Sequence, residues 1–314
     1  TLESTSAEDA RAILGSEDTK TWRGDPHERC MNALYKGILY YRRGDLDNAS
    51  ACFKRGLLAD AWSESGEHQE DFAALAFLLG WASHRRGKDE QARFSFKEAA
   101  ERMPANEHFK DPRPDENNVL VVADLGCGPR KYADGPNGSI ARFRADPYPE
   151  GGLEILVDGA PAGRSAIGAD IFVQAITRGD KTIDGIRKGK AVFKTGAAIA
   201  GAVVLSEGIE DRDKGKMGVG AGLLLLSVLT NARADVRHWS YLPGEVHVLP
   251  LRLPPGQRRL SVRVVDRHGR PLPGWERTFQ VTVPNGGDTL YYLRAGGGRA
   301  ILGLTDPQPK SVSN

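Results

Sequence analysis

The sequence predicts an α+β protein: an N-terminal α-helical repeat, then a mainly antiparallel β domain with an inserted helical hairpin. Three observations lead to this class. The stretch from Asp25 to about Pro104 is helical in character and repeats itself. Two apolar, glycine-rich segments flank a charged turn within residues 196–233. After residue 245 the apolar residues recur with a period of two, which is typical of strands.

Length and charge bound the class of protein further. The 314 residues are enough for two or three domains. The 43 Lys and Arg residues nearly balance the 41 Asp and Glu residues, and no long basic run occurs, so no nucleic-acid partner is expected. Neither the cysteines nor the histidines have metal-ligand spacing, so no metal site is expected. No segment approaches the roughly 20 apolar residues of a membrane-spanning helix, so the sequence predicts a soluble chain.

The helical region begins at Asp25-Pro26, where a capping aspartate precedes a proline suited to the first helical position. Two copies of one pattern follow, with identical residues at identical offsets. The matching pairs are Gly37 and Gly80, Arg42 and Arg85, Gly44 and Gly87, Ala49 and Ala92, Phe53 and Phe96, and Lys54 and Lys97. We expect the small residues to let paired helices approach closely, the phenylalanines to fill the space between units, and the second glycine of each copy to end the first helix.

These shared positions resemble the tetratricopeptide repeat, a helix–turn–helix unit of about 34 residues. The wider spacing here is interpreted as an insertion at WSESGEHQED, residues 62–71. The resemblance implies a concave wall made by the first helix of each unit, on which apolar residues such as Leu34, Ile38 and Phe77 are core contacts. The predicted partner-binding residues on that wall are Tyr41, Arg42, Trp81, His84 and Arg85.

The stretch NNVLVVADLGCGPRKYADG, residues 117–135, suggests an alternative function. Asp124, Gly126 and Gly128 could belong to an S-adenosylmethionine-dependent transferase, which needs a strand before the glycines and a helix directly after them. A strand is expected over residues 119–123, but the prolines and glycines after Gly128 argue against a helix. The stretch is therefore interpreted as a strand that ends in a glycine turn, and neither a cofactor nor a catalytic residue is expected.

Residues 196–233 are predicted to form a glycine-rich helical hairpin around the charged turn EDRDKGK. Ala197 with Gly201, and Gly218 with Gly222, have the small-x3-small spacing that brings helices into close contact. Two interpretations remain open. The hairpin is either buried against the sheet, or it docks into a membrane or a partner subunit.

The last part of the chain is predicted to be an antiparallel sandwich or sheet with four strands. These strands are expected near residues 246–253, 258–266, 277–283 and 288–294. The predicted domains are a helical repeat (1–110), a β/α region (111–195), the hairpin (196–233), an antiparallel β module (234–304) and a tail (305–314).

The order of motifs along the chain gives a second resemblance, which extends beyond the helical repeat. WRGDPHER, the helices, GCGPRK, the glycine-rich hairpin, ADVRHWSYLP and LPPGQRRLSVRV follow one another. This order is similar to a family of bacterial cell-envelope lipoproteins of unassigned function, and the last part resembles the small β-modules named for a Pro-Glu-Gly-Ala motif. The resemblance implies an exported, lipid-anchored protein without known catalysis, at the periplasmic face of the outer membrane or at the cell surface. Together with the two repeats, it leads to the hypothesis of a non-enzymatic scaffold that binds protein partners or assembles with its own copies. Membrane association is expected through residues 196–230 or an N-terminal lipid. The first ten residues carry no export signal, as would also hold for a processed chain.

Overall fold

The computed structural model describes residues 22–61, 72–135, 138, 140–177, 234–296 and 299–304. Helices and largely antiparallel sheets occur together in these ranges, so the predicted α+β class is confirmed. The predicted hairpin at 196–233, the tail at 305–314 and the insertion at 62–71 lie outside the described residues. The chain divides into two compact units. Among the described residues, one contains 22–24, 130–144 and 234–238, and the other contains 25–129, 145–177 and 239–304, with the gaps given above.

All the described helices belong to the second unit. They are α1 (Pro26–Arg42), α2 (Leu46–Ala61), α3 (Ala73–Arg85), α4 (Asp89–Arg102), the single turn α5 (Glu107–Lys110) and α6 (Ile171–Thr177). The predicted start of the first helix is confirmed, since Asp25 is the N-cap of α1 and Pro26 its first residue. The Glu28 carboxylate accepts the backbone N–H of Asp25 at 2.6 Å, which satisfies one of the donors left free at a helix start.

The two copies of the sequence pattern end their first helices in the same way. Gly44 has a φ of +71° and Gly87 a φ of +68°, a conformation that other residues rarely adopt. The N–H of Gly44 donates to the Tyr41 carbonyl, and that of Gly87 donates to the His84 carbonyl, both at 2.8 Å. The prediction that these glycines end the first helix of each pair is therefore confirmed.

The spacing from glycine to phenylalanine that the two copies share has a steric origin. A Cβ atom built on Gly37 would lie 2.2 Å from the Phe53 ring, and one built on Gly80 would lie 2.8 Å from the Phe96 ring. Each ring thus packs on the glycine of its own helix pair. The missing side chain leaves room for the ring in the facing helix of the same pair. The expectation that the phenylalanines also fill the space between units stays a prediction.

The strands of the second unit form two sheets. Their bounds are β1 Val119–Leu125, β4 Gly152–Val157, β5 Ala160–Arg164, β6 Ala166–Asp170, β7 Glu245–Leu251, β8 Gly256–Val265, β9 Pro271–Val283, β10 Thr289–Gly296 and β11 Arg299–Leu304. The first sheet has the order β11-β10-β1-β7-β6, and the second the order β5-β4-β8-β9. In the other unit, β2 (Arg130–Asp134) and β3 (Ile140–Arg144) pair as an antiparallel hairpin.

The four strands predicted after residue 245 exist as β7 to β10, but they do not form one module. β8 and β9 pair with β4, whereas β7 and β10 flank β1, and β10 runs parallel to β1. Strands of the predicted 234–304 module thus share both sheets with strands of the 111–195 region. The cause lies in β1, whose seven residues are all buried and which therefore needs a neighbour at each edge.

The first sheet is covered on both faces. Alternate residues such as Leu120, Val122 and Val248 pack against the helices. The residues between them, such as Val121, pack against the second sheet, where Val262 is one of the contacts. The result is three layers, helices on sheet on sheet, and it explains why the central strand reads as a continuous apolar run.

Candidate functional site

Three of the five predicted partner-binding residues meet at one carboxylate, that of Asp288. The Tyr41 O–H and the Trp81 Nε1–H both donate to Asp288 Oδ2, the indole at 2.6 Å. The Arg85 Nε donates to Oδ1 at 3.0 Å, and only 8% of the Asp288 side chain is exposed. Helices α1 and α3 therefore bind the loop of residues 284–288, which joins β9 to β10, through the side chain of Asp288.

The three donors around Asp288 carry the protons and the charge that a carboxylate acceptor needs. Burial raises the pKa of the Tyr41 hydroxyl, and the neighbouring Asp288 raises it further, so the hydroxyl keeps its proton and acts as a donor. The Arg85 guanidinium supplies the charge that compensates the carboxylate. The loop reaches this position through Gly286 (φ +141°) and Gly287 (φ +71°), both in conformations that favour glycine.

The other two predicted residues lie in different surroundings. Arg42 lines a pocket of about 380 Å³ beside the cluster, together with Tyr41, Arg85 and Asp288. His84 faces another pair of acids, with Nδ1 3.6 Å from Asp89 Oδ1 and Nε2 3.2 Å from Asp115 Oδ1. The repeat offsets placed all five residues on the first helix of each pair correctly, but the structure divides them between two sites.

A larger groove, about 690 Å³, runs along α4 and the segment 107–115. Its floor is apolar and includes the buried Phe96 and Phe109. Its cationic rim consists of Arg93, Lys97 and Lys110, and its acidic residues are the partners of His84, namely Asp89 and Asp115. Of the predicted partner-binding residues, only His84 lines this groove within the described part of the chain.

The glycine turn after β1 is filled by the protein's own atoms. A Cβ built on Gly126 would lie 2.4 Å from the Tyr148 ring, and one on Gly128 would lie 2.7 Å from the Leu242 carbonyl. Beyond the turn the chain enters β2, so the predicted strand and glycine turn are confirmed. Among the described residues no helix follows the glycines directly, and the transferase alternative stays a hypothesis from the sequence.

Asp124, which precedes that turn, is a buried carboxylate with two phenolic donors. Its Oδ2 accepts the Tyr35 O–H at 2.5 Å and the Tyr292 O–H at 2.6 Å. Burial raises the pKa of Asp124 to about 6, although both hydrogen bonds and the charge of Arg294 act to lower it. The group ties α1 to β1 and β10 and titrates near neutral pH.

Asp124 predicts a specific dependence of stability on pH. Its pKa of about 6 in the folded state exceeds the value of about 3.9 expected in the unfolded chain, so the folded state binds more protons between these values. Stability from this group is therefore fully present below about pH 4 and is lost as the pH rises through 6. In urea unfolding, the wild-type stability relative to Asp124→Asn should fall by about 2–3 kcal/mol between pH 4 and pH 7. A difference that stays constant over this range would contradict the assignment.

One buried cluster was missed by sequence reasoning. His247 Nε2 lies 2.9 Å from Glu245 Oε2, and His247 Nδ1 lies 3.1 Å from Ser165 Oγ. Arg267 also pairs with Glu245, at 2.9 Å. Burial opposes ionisation of Glu245, but the hydrogen bond and charge of His247, with those of Arg267, outweigh it and lower its pKa. The ionised Glu245 therefore accepts a hydrogen bond from His247 Nε2–H, and Nδ1 forms a hydrogen bond with the Ser165 hydroxyl.

A hydrogen-bonded chain of serine, histidine and carboxylate is also the arrangement in which a histidine base activates a serine nucleophile. Here, however, His247 is only 1% exposed and lies between the two sheets. Ser165 Oγ also accepts the backbone N–H of Leu153 at 2.9 Å, at the corner where β5 passes into β6. The geometry supports a structural role, that of satisfying polar groups at this corner. The one sequence signal was the i, i+2 placement of Glu245 and His247 on one face of a strand.

Among the described residues, no group of three or more His, Cys, Asp or Glu side chains is placed to hold a metal ion. Within the same residues, every helix is too short or too polar to cross a membrane. Comparisons of the chain with protein-family models, with curated protein sequences and with solved structures gave no match.

Proposed function

We propose that this protein is a non-enzymatic scaffold or assembly subunit of the bacterial cell envelope. Its tetratricopeptide-like helices would bind a partner protein or a neighbouring copy. The observation that carries the proposal is the groove along α4, an open surface with an apolar floor and a charged rim. The location in the envelope, the inserted hairpin at 196–233 and a lipid anchor rest on the order of motifs in the sequence.

The packing of the helices favours the groove over the predicted concave wall. Every residue of α3 from Ala73 to Ser83 is buried, and the polar ends of α1 and α3 hold Asp288. These first helices are thus engaged with the protein's own sheet and loop. We therefore propose the groove along α4, the second helix of the second pair, as the partner-binding surface in place of Tyr41 and Trp81.

The chemistry of the groove indicates what fits it. Phe96 and Phe109 offer an apolar floor, and Arg93 and Lys97 lie one turn apart on α4. Lys97 has only a weak ion pair with Glu101, at 3.7 Å and largely exposed. A segment of a partner protein that carries an apolar side chain between acidic residues would satisfy both the floor and the rim.

Reversing the rim charges should weaken this interaction. The subunits that co-purify with the native protein would be identified by mass spectrometry, and their affinity for the purified chain measured by calorimetry. The double variant Arg93→Glu/Lys97→Glu should weaken binding by about tenfold or more, because it replaces attraction by repulsion at two positions.

A matched control is Lys54→Glu, at the position in the first copy that corresponds to Lys97. It makes the same chemical change on α2, outside the groove. The direct comparison is with Lys97→Glu alone, and equal losses of affinity in these two single variants would contradict the groove as the binding surface. Sedimentation of the purified chain and of both variants would show whether copies of the chain associate through the same residues.

A further inference from the structure

The hydrogen bonds at Asp288 have the form of a ligand site. All three donors come from the helical layer, one from α1 and two from α3, and the acceptor comes from a loop of the β layer. Two of the donors, Tyr41 and Trp81, are almost completely buried. They are therefore fixed in place by packing before a carboxylate is added, which is how binding sites lower the cost of holding a ligand.

We propose that α1 and α3 form a carboxylate-binding site, which the chain fills with its own Asp288. A carboxylate from outside would compete with Asp288 for the same three donors. The loop that carries Asp288 contains Gly286 and Gly287 directly before it, both with positive φ. The internal ligand is thus attached through the most adaptable part of the loop.

The surroundings of the site favour an anion and give it a route. The pocket of about 380 Å³ opens directly beside Tyr41, Arg85 and Asp288, so a small ligand can reach the donors from solvent. Arg42 also lines this pocket, and it occupies the position in the first copy that Arg85 occupies in the second. The arginines at this offset in both copies therefore line one pocket, and Arg85 pairs with Asp288 there.

Chemical rescue tests this site with formate as the probe. Asp288→Ala removes the internal carboxylate and leaves the three donors and the pocket. Thermal unfolding of the full chain would be followed in about 0.2 M sodium formate and in sodium chloride of equal ionic strength. Formate should raise the midpoint of the alanine variant by about 4 °C or more over chloride, and should leave the wild type and Asp288→Asn unchanged, because their sites are filled.

Removal of the tyrosine donor gives a second test of the site in the same experiment. In Tyr41→Phe/Asp288→Ala the rescue by formate should shrink by about half or more, because one of the three donors is lost. If the alanine variant is unfolded in chloride, its folded fraction after refolding in each salt replaces the midpoint. The proposal is overturned if formate stabilises the alanine variant no more than the wild type. It is equally overturned if the variant refolds in neither salt. Both outcomes are independent of the groove along α4.

Discussion

Replacing Asp288 with alanine is expected to lower the free energy of unfolding by about 3–5 kcal/mol. The substitution leaves the Tyr41 O–H, the Trp81 N–H and the Arg85 guanidinium without their shared acceptor. Tyr41 and Trp81 are buried, and water that enters from the adjoining pocket would not replace the negative charge that Arg85 loses. Because α1 and α3 hold the β9–β10 loop through this carboxylate, the loss would loosen the contact between the helices and the sheet.

Urea unfolding at neutral pH measures this effect. Asp288→Asn should be less damaging than Asp288→Ala, because the amide oxygen still accepts one or two of the three donors. Asp115→Ala is a matched control, since Asp115 also pairs with a residue of α3 but is 87% exposed, and it should cost less than about 0.5 kcal/mol. If Asp288→Ala cost no more than Asp115→Ala, the cluster would contribute nothing to stability.

Gly37→Ala is expected to destabilise the protein by about 2 kcal/mol, although alanine is the better helix former by about 1 kcal/mol. The new methyl group would lie 2.2 Å from the Phe53 ring, which is fully buried and cannot swing into solvent. Gly80→Ala should cost clearly less, because the corresponding distance to Phe96 is 2.8 Å. The two sites share one motif and differ in the space available, so each is a control for the other.

A smaller residue at position 53 isolates the steric origin of the effect. In a Phe53→Leu background the cost of Gly37→Ala should largely disappear, because the methyl group gains room. Thermal or urea unfolding of the four proteins gives the coupling energy between the two positions. Additive effects would contradict the close contact of Gly37 and Phe53 as the reason for the glycine.

The local features of the fold could be predicted from the sequence, since they depend on neighbouring residues. Asp25-Pro26 and Gly44 act within one turn of helix, and the apolar run of β1 indicates burial on both faces. The pairing of β10 with β1 could not be predicted, because it joins residues about 170 positions apart along the chain. The contact of Phe53 with Gly37 was not predicted for a related reason: sequence offsets define which residues repeat, but not which neighbour they touch.

The candidate site shows the same limit. Tyr41, Trp81 and Arg85 were placed on the correct helices, yet their common acceptor, Asp288, lies in a loop that no repeat pattern connects to them. The groove along α4 depends on Phe109 and the segment after it, which belong to no repeat. A sequence pattern therefore located the polar residues of the helical layer, but not the group that they bind.

The central claim, that the protein is a subunit of an assembly, is tested most directly by the mass of the native particle. Light scattering of the particle extracted from its source in mild detergent should give a mass of several copies, or of this chain with co-purifying subunits. That mass should fall when Arg93 and Lys97 are both replaced by glutamate. A particle that holds one copy of the protein and no co-purifying subunit would contradict the proposed function.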